Sequence, residues 1–105
     1  MVEPGLDRHE WETEWQALEP LVVDAPAETL PDVDRLIERM LIGRGYPTTE
    51  DQAHDADDPG VVAEFLEARR ITNLVDAGET VDPGEIGAAI TAYRSLYEFL
   101  LAEPR

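Results

Sequence analysis

Residues 49–60 read TEDQAHDADDPG, which places Glu50, Asp51, Asp55, Asp57, Asp58 and His54 within a dozen positions. Hard oxygen donors crowded around one imidazole are what a divalent-cation site, or half of a hydrolytic site, is built from. A calcium loop needs oxygen ligands at its first, third and fifth positions, a glycine at the sixth and a bidentate carboxylate at the twelfth. Counted from Asp55, the residues Asp57 and Gly60 fall in place, but the fifth position is Pro59 and the twelfth Leu66. A transition-metal site is no better supplied, because His9, the other histidine, belongs to a different element. One imidazole among carboxylates is a weak ligand set. The stretch therefore reads as a helix cap, Asp58, at the end of an acidic connector over 46–58, with Asp55 and Asp57 favoured by the positive end of the next helix.

Glu64 and Glu67, then Glu79 and Asp82, form an E-x-x-E and an E-x-x-D pair. These pairs resemble the metal ligands of the all-α nucleotide pyrophosphohydrolases related to MazG, small helical enzymes in which Mg²⁺ offsets triphosphate charge during hydrolysis. The resemblance implies a Mg site made by Glu64, Glu67, Glu79 and Asp82. The family carries both pairs on helices, whereas 79–82 here falls between two predicted helices and Asp82 serves better as a cap. His54-Asp55 resembles the His-Asp pair of metal-dependent phosphohydrolases, without their further histidines. Ser95 is the sole serine, lies inside a predicted helix and has no histidine nearby in sequence. Gly43-Arg44-Gly45 lacks the Lys-Ser/Thr of a phosphate loop. No catalytic residue is assigned. Arg35 with Arg39, and Arg69-Arg70 with Arg94, would make small anion patches, but pairing with acids on the same helix, as of Glu67 with Arg70, is the expected use. Trp11 and Trp15 sit one helical turn apart among Glu10, Glu12 and Glu14. They belong either to the core, which is the reading preferred, or to an aromatic ridge with an acidic rim; together with Tyr46 they are the interaction candidates.

The whole chain narrows the partners further. Its 105 residues allow one domain, 1–105, with one core, and 43% hydrophobic residues suffice to build it. With no cysteine, disulfides and thiolate metal sites are excluded and packing alone must hold the fold. No apolar run approaches the roughly 20 residues of a membrane span, and the first residues carry neither the basic nor the apolar region of a signal peptide. A cytoplasmic setting is expected. Twenty-four acids stand against eight arginines and no lysine, a formal net charge of −16. Such a field repels phosphate backbones and anionic lipid and attracts basic surfaces, so the expected partner is a protein, a basic one in particular, rather than nucleic acid or membrane. No cofactor is expected beyond the Mg of the pyrophosphohydrolase alternative.

The elements that must position these residues are helices. Asp58-Pro59-Gly60 recurs as Asp82-Pro83-Gly84, each followed by an apolar-periodic run. Asp at N-cap and Pro at the first helical position suit a helix start, and Glu85 three residues after Asp82 adds a capping box. Thr29, followed by Asp32, is read as a third cap. Helices are predicted over about 7–19, 30–44, 59–77 and 83–102, with 1–6 frayed and with Pro20 kinking or interrupting the first. Their stripes are Trp11, Trp15, Leu18 and Val22; Val33, Leu36, Ile37, Met40 and Leu41; Val61, Phe65, Ala68 and Val75, widened by Leu66, Ile71 and Leu74; and Ile86, Ile90, Tyr93, Tyr97 and Leu100. No stretch alternates long enough for a strand. The fold class is all-α, a compact bundle of about four helices whose last two form an antiparallel helical hairpin. The same stripes would serve a homodimer as well as a tight monomer.

WQALEPLVVD, Gly45-Tyr46-Pro47, Pro59-Gly60-Val61-Val62 and the run from Tyr93 to Leu101 are similar to a group of small acidic helical proteins of unknown function from actinobacteria. The likeness spans about residues 15–101 and departs from the group's Tyr-Arg pair and following histidine, where this chain has Phe65-Leu66 and Arg69-Arg70. It implies a helical fold in the cytoplasm and no particular activity. Residues and resemblance together predict a protein-interaction or regulatory module without catalysis. The alternatives are the MazG-like hydrolase and a nucleic-acid mimic or antitoxin-like inhibitor.

Overall fold

The computed structural model describes residues 4–49 and 58–102, which form four helices: α1 Pro4–Asp24, α2 Pro26–Gly43, α3 Pro59–Asp76 and α4 Pro83–Ala102. Among the described residues there is no strand. All four helices begin on proline, and in two of them the residue before it is held outside the helical region: Ala25 (φ −142°, ψ 72°) before Pro26 and Asp58 (φ −131°, ψ 80°) before Pro59. Proline forces this by clashing with the residue before it while its own φ is already helical. Ala25 thus makes the whole turn between α1 and α2. The opposite ends of α2 and α3 are closed by Gly45 and Gly78 at φ +87° and +82°. Gly45 and Tyr46 donate back to Ile42 and Leu41, and Gly78 and Glu79 to Val75 and Leu74, the paired bonds of a Schellman stop that only glycine reaches without strain.

Cross-helix contacts fix the directions. Glu14 meets Arg39 and Trp11 lies beside Gly43, so α1 and α2 are antiparallel. Tyr93 reaches both Thr72 and Asp34, while Arg44 reaches the carbonyl of Leu100, so α4 runs against α3 and alongside α2. The result is an up-down-up-down bundle in which α2 and α4 form the central pair. Helix α3 packs most extensively on α4, α1 on α2, and α1 and α3 sit at opposite corners without substantial contact. The core joins Trp11, Trp15 and Val22 of α1, Leu30, Val33, Leu36, Ile37, Met40 and Leu41 of α2, Phe65, Ala68 and Ile71 of α3, and Ala89, Tyr93, Leu96, Tyr97 and Leu100 of α4.

Four expectations are corrected. Residues 4–6 are already helical rather than frayed, while 1–3 lie outside the described residues. Pro20 does not interrupt α1, which continues through 21–24 because Val22 is drawn into the core beyond it. Helix α2 begins at Pro26, so Thr29 is no cap: it is buried inside the first turns, and its hydroxyl donates to the carbonyls of Ala25 (2.8 Å) and Leu21 (3.1 Å), tying α2 to the end of α1. In α3 the buried line is Val62, Phe65, Ala68, Ile71 and Thr72, with Val61 and Val75 only half-buried. The stripe is turned toward the threonine because Thr72 has polar partners in the core.

Gly87, inside α4, has an ordinary helical backbone, and a methyl group placed there would meet no neighbouring atom within 4 Å. Gly87→Ala is therefore expected to raise stability by about 1 kcal/mol, the helix-propensity difference between the two residues, read as a higher urea midpoint with unchanged slope. A lowered midpoint would show that the backbone at this point needs glycine.

Candidate functional site

The two tryptophans face inward. Trp15 is 8% exposed, stacks on Tyr97 with ring centroids 4.3 Å apart and planes 10° from parallel, and donates from Nε1 to Glu19 (3.1 Å). Trp11 lies under the Arg44 guanidinium, 5.2 Å from the ring centre, against Gly43. The aromatic ridge is not formed, and the glutamates beside these rings tie the fold together: Glu14 pairs with Arg39, whose hydrogen bonds hold the carboxyl below its usual range, and Glu19 pairs with Arg94 (3.0 Å). Tyr46, half-buried, is seated on the core by the stop at the end of α2.

Glu64 and Glu67 lie one turn apart on the exposed side of α3. Glu67 is engaged by Arg70 at 2.7 Å, as its spacing predicted, and Glu79 and Asp82 lie in and at the end of the α3–α4 connection. Among the described residues no three His, Asp or Glu side chains are gathered as a metal ion would require, so these four carboxylates are not brought into one site. Residues 50–57, with His54, Asp55 and Asp57, lie outside the described residues. Asp58 holds the cap position of α3, but through its backbone carbonyl, which accepts from Val61 (3.2 Å); its side chain makes no capping bond. The N3 amide of Val61, which a side-chain cap could serve, is taken by that carbonyl instead. Asp82 likewise accepts the amides of Glu85 and Ile86 on its carbonyl. Titration with Mg²⁺, Mn²⁺ or Ca²⁺ is therefore expected to give only a weak, non-saturating change in the unfolding temperature and tryptophan emission; a saturable rise at micromolar metal would restore the hydrolase reading.

The most developed polar cluster was missed at the level of sequence. Asp34 on α2, 6% exposed, accepts from the Tyr93 hydroxyl of α4 (2.6 Å) and from Arg69 of α3 through NH2 (2.7 Å) and Nε (3.3 Å). Arg69 also bridges to Glu38 (3.1 Å) and lies 4.6 Å over the Phe65 ring. Tyr93 donates its single proton to Asp34, and the single proton of Thr72 is shared between the Tyr93 oxygen (2.7 Å) and the carbonyl of Ala68 (3.0 Å). Among the described residues no buried side-chain polar atom lacks a partner. Burial and the hydrogen bond to Asp34 push the Tyr93 phenol far above its ordinary range. Burial alone would weaken the charge on Arg69, but the bonds to Asp34 and Glu38 outweigh it and raise the group. Arg69 thus stays charged and Tyr93 protonated, and with its donors engaged the cluster acts as a bolt through three helices. A signal existed: Asp34 interrupts the apolar line Leu30, Val33, Ile37 with steps of four and three on either side, and Thr72 does the same in α3.

Comparison with protein-family models, with curated proteins and with solved structures gives no match to this chain.

Proposed function

We propose that this protein is a non-catalytic interaction module whose acidic exterior binds a basic protein. The observation that carries the reading is where the arginines go. Arg39, Arg69, Arg70 and Arg94 each hold a carboxylate within 3.1 Å or closer, Arg35 lies 3.7 Å from Asp32, and Arg44 is turned onto Trp11 and the carbonyl of Leu100. Among the described residues the arginines other than Arg8 are thus engaged inside the fold or along single helices. The excess acids, among them Glu10, Glu28, Asp76, Glu79 and Glu98, are exposed on all four helices and the last connection. The field they create favours fast, steered capture of a positively charged partner. Supporting this reading over catalysis is the absence, among the described residues, of a gathered metal-ligand set and of any free group in the buried cluster. Affinity capture from cell lysate followed by calorimetry of the recovered protein is the test: a saturable, stoichiometric, basic partner is expected, and finding no saturable partner would reject the proposal.

A further inference from the structure

The cleft in the groove between α3 and α4 is lined by residues of those two helices alone. Helices α1 and α2 approach α4 from the other side, through Tyr97 and Arg94 for α1 and through Tyr93 and Leu100 for α2. The groove holds a cleft of about 110 Å³ floored by Ala68 and Ile71 of α3 and Ala88, Ala89 and Ala92 of α4, with Glu67 and Glu85 on its rims. A space of this order takes one aliphatic side chain. Along α4 the same face continues from Ala88 and Ala92 to Ser95 and Phe99 at steps of four, three and four. Phe99 is 42% exposed, the most exposed phenylalanine, tyrosine or tryptophan among the described residues. On α3, Glu64 and Glu67 stand on the same face as Ile71 at steps of three and four. Arg70 pairs with Glu67 and also feels the charge of Glu85, so the two rim acids and Glu64, one turn further along α3, stand as three acids against one arginine, and the remaining charge is negative.

From this juxtaposition we infer that the α3–α4 groove is where the partner docks, and that it receives an amphipathic basic helix: apolar side chains on the alanine floor and against Phe99, lysine or arginine toward Glu64 and Glu85. The inference rests on the reading of the protein as an acidic interaction module and names the surface that reading left open. A helix suits the site because a groove between two antiparallel helices takes anchors spaced i, i+3, i+4 and i+7, and the small side chains let its backbone come close. A second copy of this chain is disfavoured there, since it would bring another sixteen negative charges.

The test uses a synthetic amphipathic peptide, leucine at i, i+3, i+4 and i+7 with lysine elsewhere, and a scrambled peptide of the same composition. Amide chemical shifts of the labelled protein report where each binds. Shifts concentrated at 67–71, 88–92 and 99 with the ordered peptide, and weaker binding of the scrambled one, are expected. Ala88→Glu separates shape from field, because it fills the cleft while adding negative charge at an exposed position. The groove predicts a loss of roughly tenfold in affinity, as does Phe99→Ser, whereas attraction by the field alone predicts a gain for Ala88→Glu. Equal binding of both peptides with shifts spread over all four helices would overturn the groove and leave the acidic module standing. No binding of either peptide would remove both.

Discussion

Replacing Asp34 by alanine is expected to cost about 3–5 kcal/mol, the largest loss any single substitution at this protein's polar positions should produce. The change leaves the Arg69 guanidinium without its main counter-charge and the Tyr93 hydroxyl without its acceptor, in a place where Asp34 itself is 6% exposed. Because the Arg69 side chain keeps 26% of its exposure and retains Glu38, the lower part of that range is the better figure. Against a total stability on the order of 5–15 kcal/mol for a domain, this is enough to lower the urea midpoint severely or to leave the chain largely unfolded. Asp34→Asn keeps an acceptor for Tyr93 and should fall between. Replacing the pair together, Asp34→Leu with Arg69→Met, removes the uncompensated charge and should recover that part of the loss, leaving the smaller cost of the Tyr93 hydroxyl's missing acceptor. A cost below about 1 kcal/mol for Asp34→Ala would show that the cluster does not join the three helices as described.

Trp15→Ala should be nearly as damaging, at about 3–5 kcal/mol for truncating a large buried aromatic. Trp15 joins α1 to α4 by its stack on Tyr97 and orders Glu19, which in turn holds Arg94 of α4. Contacts between α1 and α4 are otherwise sparse, so the loss should appear as detachment of α1 ahead of the rest. Hydrogen exchange would then show α1 amides opening with a lower free energy than those of α3 and α4. If Trp15→Ala left stability within about 0.5 kcal/mol of the parent, as a surface residue would, the tryptophans would be an exterior ridge after all.

The helices were legible because their signals are local. The proline-led starts at 59 and 83 fixed two boundaries, and the stripes through Trp11, Trp15 and Val22 and through Val33, Leu36, Ile37, Met40 and Leu41 marked faces that are buried. What sequence reasoning misjudged depends on distant partners. Thr29 has the residue type of a cap, but the break at Ala25 is set by Pro26, and the threonine hydroxyl then finds the carbonyl of Leu21. Pro20 weakens α1 locally, yet Val22 repays this only once α2 is in place. Asp34, Thr72 and Tyr93 lie 21 to 59 residues apart, and no spacing rule announces that an acid, a hydroxyl and a phenol on three helices will meet. The paired glutamates, conversely, looked like chemistry because an acidic chain generates such spacings readily, and in the fold Glu67 pairs with Arg70.

Whether the acidic exterior selects a basic protein is decided by a calorimetric titration of the partner recovered by affinity capture, repeated over a series of salt concentrations. The chain is compared with a variant in which Glu10, Glu28, Asp76, Glu79 and Glu98 are replaced by their amides. Affinity that falls steeply with salt is expected for the parent chain, with both a lower affinity and a shallower salt dependence for the variant. Affinity indifferent to salt and equal in the two proteins would contradict selection by the acidic exterior.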